Sequence, residues 1–302
     1  MVSFDWAMKR LLRNKANFEV LEGFLSELLR RKIIVKNICE SESNQDVENE
    51  KGTRVDLLAE ADDRELVIIE VQYHGEAEYF HRILYGVSKV ITNHLMKGQK
   101  YSNVRKVYSI NIVYFDLGEG DDYIYHGFTE FKGLHTQTDL KLSEAQHEIY
   151  GKTFPGEFYP EYYLIKLGNF NEVAKNTLDE WVYYLKNNQI RDDFTAQGIG
   201  KAREILAYDN MSDEDKAKYD RAIDMRLYAD SQITTAHLEG KLEGINEARV
   251  EAEATARKML EETVHNARKA GCSLETIASI TKLTVSEINQ ILEHGQQGTF
   301  SA

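Results

Sequence analysis

The stretches Arg54-Val-Asp-Leu-Leu-Ala-Glu60 and Glu65-Leu-Val-Ile-Ile-Glu-Val-Gln72, joined through Ala61-Asp-Asp-Arg64, decide the fold. A hairpin closed about Asp63 sets Asp56 opposite Glu70 and Arg54 opposite Gln72. Side chains alternate along a strand, so Val55, Leu57, Ala59, Val67, Ile69 and Val71 then share one wholly apolar face that can enter a core. The other face carries Arg54, Asp56, Glu70 and Gln72. Opposed residues in such a pair have Cβ atoms about 4.5–5.5 Å apart, and like charges at that distance destabilise the sheet. A compensating positive charge is therefore expected.

A divalent cation would supply it. Mg²⁺ is held by one or two carboxylates, keeps several waters and leaves positions open for phosphate oxygens. Asp56 and Glu70 would be ligands, with the carbonyl of Val71 as a further one, and Mn²⁺ or Ca²⁺ would suit the same oxygens. Such an ion lowers the pKa of a bound water and stabilises charge at phosphorus, the chemistry of phosphodiester hydrolysis. The competing reading is two acids on a solvent-facing sheet.

Outward from the hairpin, residues 5–32 place Phe18, Leu21, Phe24, Leu25, Leu28 and Leu29 at helical spacing, which predicts a short helix and then a longer one with Asn17 at its start. A short β-branched strand over 33–38 precedes an acidic run at 40–50. Residues 76–97 return to helical spacing and Gly98 is the predicted stop. The nearly continuous apolar run 106–115 predicts a strand buried on both faces, and 123–131 another strand. Residues 148–166, rich in aromatics and containing both prolines, read as an ordered wrap against the core. From Thr177 onward the chain reads as helix.

These residues carry a resemblance. Arg54-Val-Asp56, then Ile69-Glu70-Val71-Gln72, then a helix bearing Phe80, Arg82 and Tyr85 with Gly98 and Tyr101 after it, resemble the recombination-promoting nuclease (Rpn) family, also described as PD-(D/E)XK nuclease family transposases. The resemblance extends to Tyr162-Tyr163, to Leu178-Asp-Glu-Trp181 with Tyr184 and Leu185, and to the Glu- and Gly-rich helical tail. It implies an α/β fold with a restriction-endonuclease-like core, a central mixed sheet flanked by helices, and an all-helical C-terminal extension. It also implies Mg²⁺-dependent DNA cleavage near recombination, mobile elements or defence against foreign DNA.

Gln72 stands where the wider superfamily usually has lysine, although it agrees with this family. An amide can be neither a general base nor a cation, so Gln72 can only position water or phosphate, and modest turnover is expected. The superfamily often adds an acid from the first helix, for which Glu22 and Glu19 are both candidates. Arg82 can clamp a phosphate bidentately, with Tyr85 one turn away and Arg54 nearby; equally, Arg82 and Tyr85 can serve to pack helix on sheet. His74 and His81 lack the spacing of a metal-binding helix.

Three regions are expected: a nuclease core over 1–170, a helical region over 171–235 packed on or next to it, and a long helix with a helix-turn-helix-like hairpin over 236–302. The long helix places Leu238, Leu242, Ile245, Ala252, Ala256 and Met259 at roughly heptad spacing, interrupted by Gly240, Gly244 and Arg249, which predicts a self-associating helix and hence a homo-oligomer. In the hairpin, Ile277, Ala278, Leu283, Val285, Ile288 and Ile291 are the predicted inward residues. Only Ser286, Asn289 and Gln290 of its second helix suit base contacts, so DNA recruitment and assembly remain two readings of the same unit.

With 302 residues the chain can bury a full core and carry an extension, since domains run to about 100–200 residues. Its formal charge of −13 argues against coating nucleic acid by bulk electrostatics but not against cleaving it through local basic groups: Lys9, Arg10, Arg13 and Lys15; Arg30, Arg31 and Lys32; Lys97, Lys100, Arg105 and Lys106. Cys39 and Cys272 form no metal or disulfide pattern. No apolar run approaches the about 20 residues of a membrane span and the N-terminus does not read as a secretion signal, so a cytoplasmic protein that binds DNA and no membrane is expected. Against the nuclease stand a DNA-binding adaptor acting through the tail and an RNA-cleaving enzyme using the same site. Intact Asp56 and Glu70 favour an enzyme over the adaptor.

Overall fold

The computed structural model describes residues 1–10, 14–39 and 56–297. Arg54, Val55, Arg13 and the acidic run 40–50 lie outside the described residues. Among those described, the helices are α1 (Phe4–Arg10), α2 (Phe18–Leu29), α3 (Tyr79–Asn93), α4 (Glu144–Tyr150), α5 (Thr177–Asn187), α6 (Ile199–Ile205), α7 (Asp213–Lys269), α8 (Leu274–Thr281) and α9 (Val285–Gln297). The strands are β1 (Val35–Cys39), β2 (Leu57–Ala61), β3 (Leu66–Gln72), β4 (Val107–Val113), β5 (Ile124–Gly127) and β6 (Glu161–Lys166). They form one mixed sheet in the order β1-β2-β3-β4-β6-β5. β3, β4 and β6 run parallel to their neighbours in the centre, and both flanks pair antiparallel.

The hairpin register is the one its pattern dictates: Leu57 pairs with Ile69, Leu58 with Ile68, Ala59 with Val67 and Glu60 with Leu66. Leu57, Ala59, Val67, Ile69 and Val71 then join Ile110, Ile112, Tyr163 and Ile165 in the main core. That face is covered by α2, α5 and α6, which contribute Leu21, Phe24, Leu25, Trp181, Tyr184, Leu185 and Ala202, and by Phe4 and Met8 of α1. The opposite face is less polar than the hairpin alone suggested. Leu58, Leu66, Ile68 and Val107 pack under Val87 and Val90 of α3, and Val113 packs under Tyr79 and Ile83. Only the far end of β3 keeps its polar residues on that side.

Three elements differ from expectation. Residues 161–166, read as part of an aromatic wrap, form a strand paired on both sides, by β4 and by β5. Helix α4, with a Ser143–Gln146 capping box, lies in a stretch from which no helix was read. Helix α3 stops at Asn93 rather than at Gly98, His94 Nδ1 lying 2.8 Å from the Val90 carbonyl oxygen at its last turn.

Gly23 is where α2 meets the start of α6. A Cβ there would lie 2.2 Å from the Gln197 carbonyl oxygen and 2.8 Å from Cα of Gly198, both backbone atoms that cannot swing aside. Gly23→Ala is expected to lower stability by about 1–3 kcal/mol, as overpacking does, read as a lower urea midpoint with an unchanged m-value.

The chain divides into two compact units, Met1–Ala222 and Ile223–Ala302. In the second, Val264 of α7, Ile277 of α8 and Ile288 of α9 form a small core, with Ala278, Leu283 and Ile291 partly buried against it. Val285, predicted to point inward, is exposed. Leu238, Leu242, Ile245 and Met259 of α7 are each more than half exposed.

Candidate active site

Alternation along β3 puts Glu70 and Gln72 on the same face as Leu66 and Ile68, the face covered by α3. Asp56 sits one residue before Leu57, where the described ladder begins, and its Oδ2 accepts a hydrogen bond of 2.8 Å from the Val71 amide. A strand residue's N–H and C=O point to the same side, so the Val71 carbonyl also faces the Asp56 edge. The carboxylate thus takes over the donor that a further β2 residue would satisfy. Glu70 is 4 % exposed and lies alongside Asn111 of β4 in the parallel register.

The compensation expected for these two acids is partly present in the chain itself. Arg82, in the first turn of α3, places Nη2 3.4 Å from Glu70 Oε2 and 3.5 Å from Gln72 Oε1, while Nη1 donates to Glu76 Oε2 at 2.7 Å. The guanidinium carbon stands 5.5 Å from the centre of the Tyr79 ring. Gln72 in turn donates from Nε2 to the His74 carbonyl at 3.3 Å, which fixes which end of its amide faces Arg82.

One cation at 3.4 Å does not cancel the cost of burial. Burial pushes the Glu70 carboxyl above its ordinary range; Arg82 opposes the shift, and Asp56 and Glu76 add to it. Burial works against the charge of Arg82, but Glu70 and Glu76 outweigh it and hold the guanidinium more firmly charged than usual. The wholly buried phenol of Tyr79 is pushed up by burial and then by Glu70. Its hydroxyl has no hydrogen-bond partner among the described residues, and neither has Asn111 Oδ1, although Asn111 Nδ2 donates to Ser109 Oγ at 3.0 Å. A buried polar atom left unmatched costs about 1–3 kcal/mol. Two of them beside Glu70 mark this end of the sheet as suited to a polar occupant.

The donor set suits a hard cation. Asp56 and Glu70 offer carboxylate oxygens, and among the described residues no group of three His, Cys, Asp or Glu is placed to hold a metal. An ion held by these two carboxylates would complete its shell with main-chain carbonyls, water or phosphate, as hard divalent cations do.

The other sequence candidates fall elsewhere. Helix α2 packs on the main-core face, opposite to the face of Glu70. Glu22 Oε1 accepts from the Val35 amide at 2.8 Å, and Val35 pairs with Ala61 at the turn end of the hairpin. Glu19 is exposed, within electrostatic range of Lys201 of α6. Tyr85 is 42 % exposed. Arg105 pairs with Glu60 at 2.9 Å and Lys106 with Glu161 at 2.8 Å, so these two cations serve the sheet. Arg54 is outside the described residues.

Sequence reasoning missed Glu76, Tyr79 and Asn111. Asn111 was visible as the one amide in the apolar run of β4, since a polar residue in a doubly covered strand needs a reason. Tyr79 stands one helical turn before Arg82, the spacing at which two side chains meet.

The mixed sheet between helical layers is a restriction-endonuclease-like fold. The model of the PD-(D/E)XK nuclease family transposases matches residues 2–236, and the chain belongs to that family. No match was found among curated proteins or among solved structures. Membership makes this a nuclease-type enzyme, and the matched span contains every residue of the site described above. No helix among the described residues is long and apolar enough to cross a membrane.

Proposed function

We propose that the protein is a Mg²⁺-dependent endodeoxyribonuclease acting in the cytoplasm on recombining, mobile or foreign DNA. The observation that carries this reading is the convergence of Asp56, Glu70, Gln72 and Arg82 at one end of the β2–β3 hairpin, with buried polar atoms of Tyr79 and Asn111 beside them. Asp56, Glu70 and the Val71 carbonyl would hold the ion. A divalent ion there supplies charge neutralisation at the phosphate and a water of lowered pKa. Asp56 is anchored by the Val71 amide through Oδ2. Gln72, an amide, orients water or phosphate through hydrogen bonds and moves no proton. Arg82 offers a planar fork for a phosphate.

The division into a core over 1–170, a helical region over 171–235 and an assembly or recruitment region over 236–302 belongs to the same proposal. The apolar residues exposed along α7 are the surface on which two copies would associate, bringing two cores to one duplex. Ser286, Asn289 and Gln290, all exposed on α9, are the groups through which DNA would be recruited.

Incubating supercoiled plasmid, linear duplex and single-stranded RNA with the full chain, in Mg²⁺, Mn²⁺, Ca²⁺ or EDTA, tests the reading. Nicking or linearisation of DNA in Mg²⁺ that EDTA abolishes is the expected result. Cleavage confined to RNA would reassign the substrate, and intact polymers under every condition would leave an adaptor.

A further inference from the structure

Arg82 serves two acids of unequal standing. Its contact with Glu76 is short, 2.7 Å, and open to solvent on both sides, the two side chains being 33 % and 38 % exposed. Its contact with Glu70 is longer, 3.4 Å, and reaches a carboxylate only 6 % exposed. A guanidinium presents five N–H donors around a rigid plane, so it can keep one partner on one edge while the other edge changes partner. The Tyr79 ring, fixed by an edge-on contact with Phe115 at 5.7 Å, gives the plane a neighbour to slide across.

Glu70 is also the acid the proposed ion requires. A guanidinium and a divalent ion on one shielded carboxylate repel each other strongly, because water screens little there. We propose that Arg82 is the counter-charge of Glu70 when no divalent ion is bound, that it yields Glu70 to the ion, and that, still tethered by Glu76, it turns its freed edge to the substrate phosphate. Glu76 is then a positioning residue. The inference rests on the metal-nuclease reading and adds to it an order: ion and phosphate strengthen each other's binding through one arginine, and the coupling is reciprocal.

Mn²⁺ binding to the full chain, followed by the paramagnetic resonance of the free ion, tests this together with the anisotropy of a short labelled duplex in Ca²⁺. Arg82→Met, which keeps the apolar stem, is expected to bind Mn²⁺ at least about tenfold more tightly than wild type, having lost the competing charge, and to hold the duplex more weakly. Arg82→Lys keeps the charge and loses the fork, so it should bind Mn²⁺ as wild type does and still lose duplex affinity. Glu76→Gln should weaken the duplex without tightening Mn²⁺. Unchanged or weaker Mn²⁺ binding in Arg82→Met, with binding abolished in Asp56→Ala, would overturn the inference and leave the metal site standing. Mn²⁺ binding indifferent to Asp56→Ala would remove the metal site and this inference with it. Gain of Mn²⁺ binding only in Arg82→Met would support the competition directly.

Discussion

Glu70→Gln is expected to abolish detectable phosphodiester cleavage while making the fold more, not less, resistant to heat at neutral pH. The two effects have one cause. Glu70 is a buried carboxylate whose pKa is raised in the folded chain, first by desolvation and then by Asp56 and Glu76 against the opposing pull of Arg82. A raised carboxyl pKa means that the folded state binds more protons than the unfolded one between the two pKa values. Stability is therefore lost as pH climbs from the unfolded value, about 4.3, through the folded one, and the deficit persists above it. The amide keeps the shape of the side chain and removes the ionisation, and Arg82 retains its shorter contact with Glu76. Thermal midpoints measured from pH 4 to 8 should fall less with pH in the variant than in wild type and lie above wild type at pH 7. For activity, groups that merely orient metal ligands cost about 10–100-fold when removed, and loss of an oxygen from the acid proposed to hold the ion should exceed that. A variant that melts lower than wild type at pH 7 and cleaves normally would show that Glu70 acts as a structural acid.

The largest expected loss of stability comes from the other side of the sheet. Trp181 of α5 is fully buried, lies 5.7 Å from Phe24 and 6.2 Å from Tyr184 between ring centres, and donates from Nε1 to the Gln197 carbonyl at 3.3 Å. It joins α5, α2 and the approach to α6 in one contact set. Trp181→Ala leaves a cavity that backbone elements on three sides cannot fill, and about 3–5 kcal/mol should be lost. Against a total of about 5–15 kcal/mol for a folded domain, this puts the variant close to unfolding at 37 °C. Urea denaturation followed by tryptophan fluorescence and circular dichroism measures it, and a loss below about 1 kcal/mol would mean that the helical layer is dispensable to the sheet.

The hairpin was legible because a period of two leaves little freedom: with one face wholly apolar, a slip of one residue would turn Asp56 and Glu70 into the apolar core face and Val67 and Ile69 out of it. Together with a turn closed about Asp63, that gives the register Leu57 to Ile69. Residues 161–166 were not legible as a strand, because a strand paired on both sides usually reads as an unbroken apolar run, and this one begins with Glu161 and ends with Lys166. Both charges are dealt with by contacts remote in sequence: Glu161 by Lys106, and Lys166 by donating to the Gly118 carbonyl at 3.0 Å. The two acids of the candidate site could be read from their opposition across the hairpin, but their partner could not. Whether Arg82 or Glu22 stands beside Glu70 depends on which face of the sheet each helix covers, and that is fixed by the packing of α2 with α5 and α6 and of α3 with Val107 and Val113. Local sequence holds no record of it.

The most direct test of the account is linearisation of supercoiled plasmid in Mg²⁺ by wild type and by Asp56→Ala at equal concentration, each verified as folded by its thermal midpoint. The account predicts cleavage by wild type, more than about 100-fold slower cleavage by the variant, and none by either in EDTA; equal cleavage by the two proteins would contradict it.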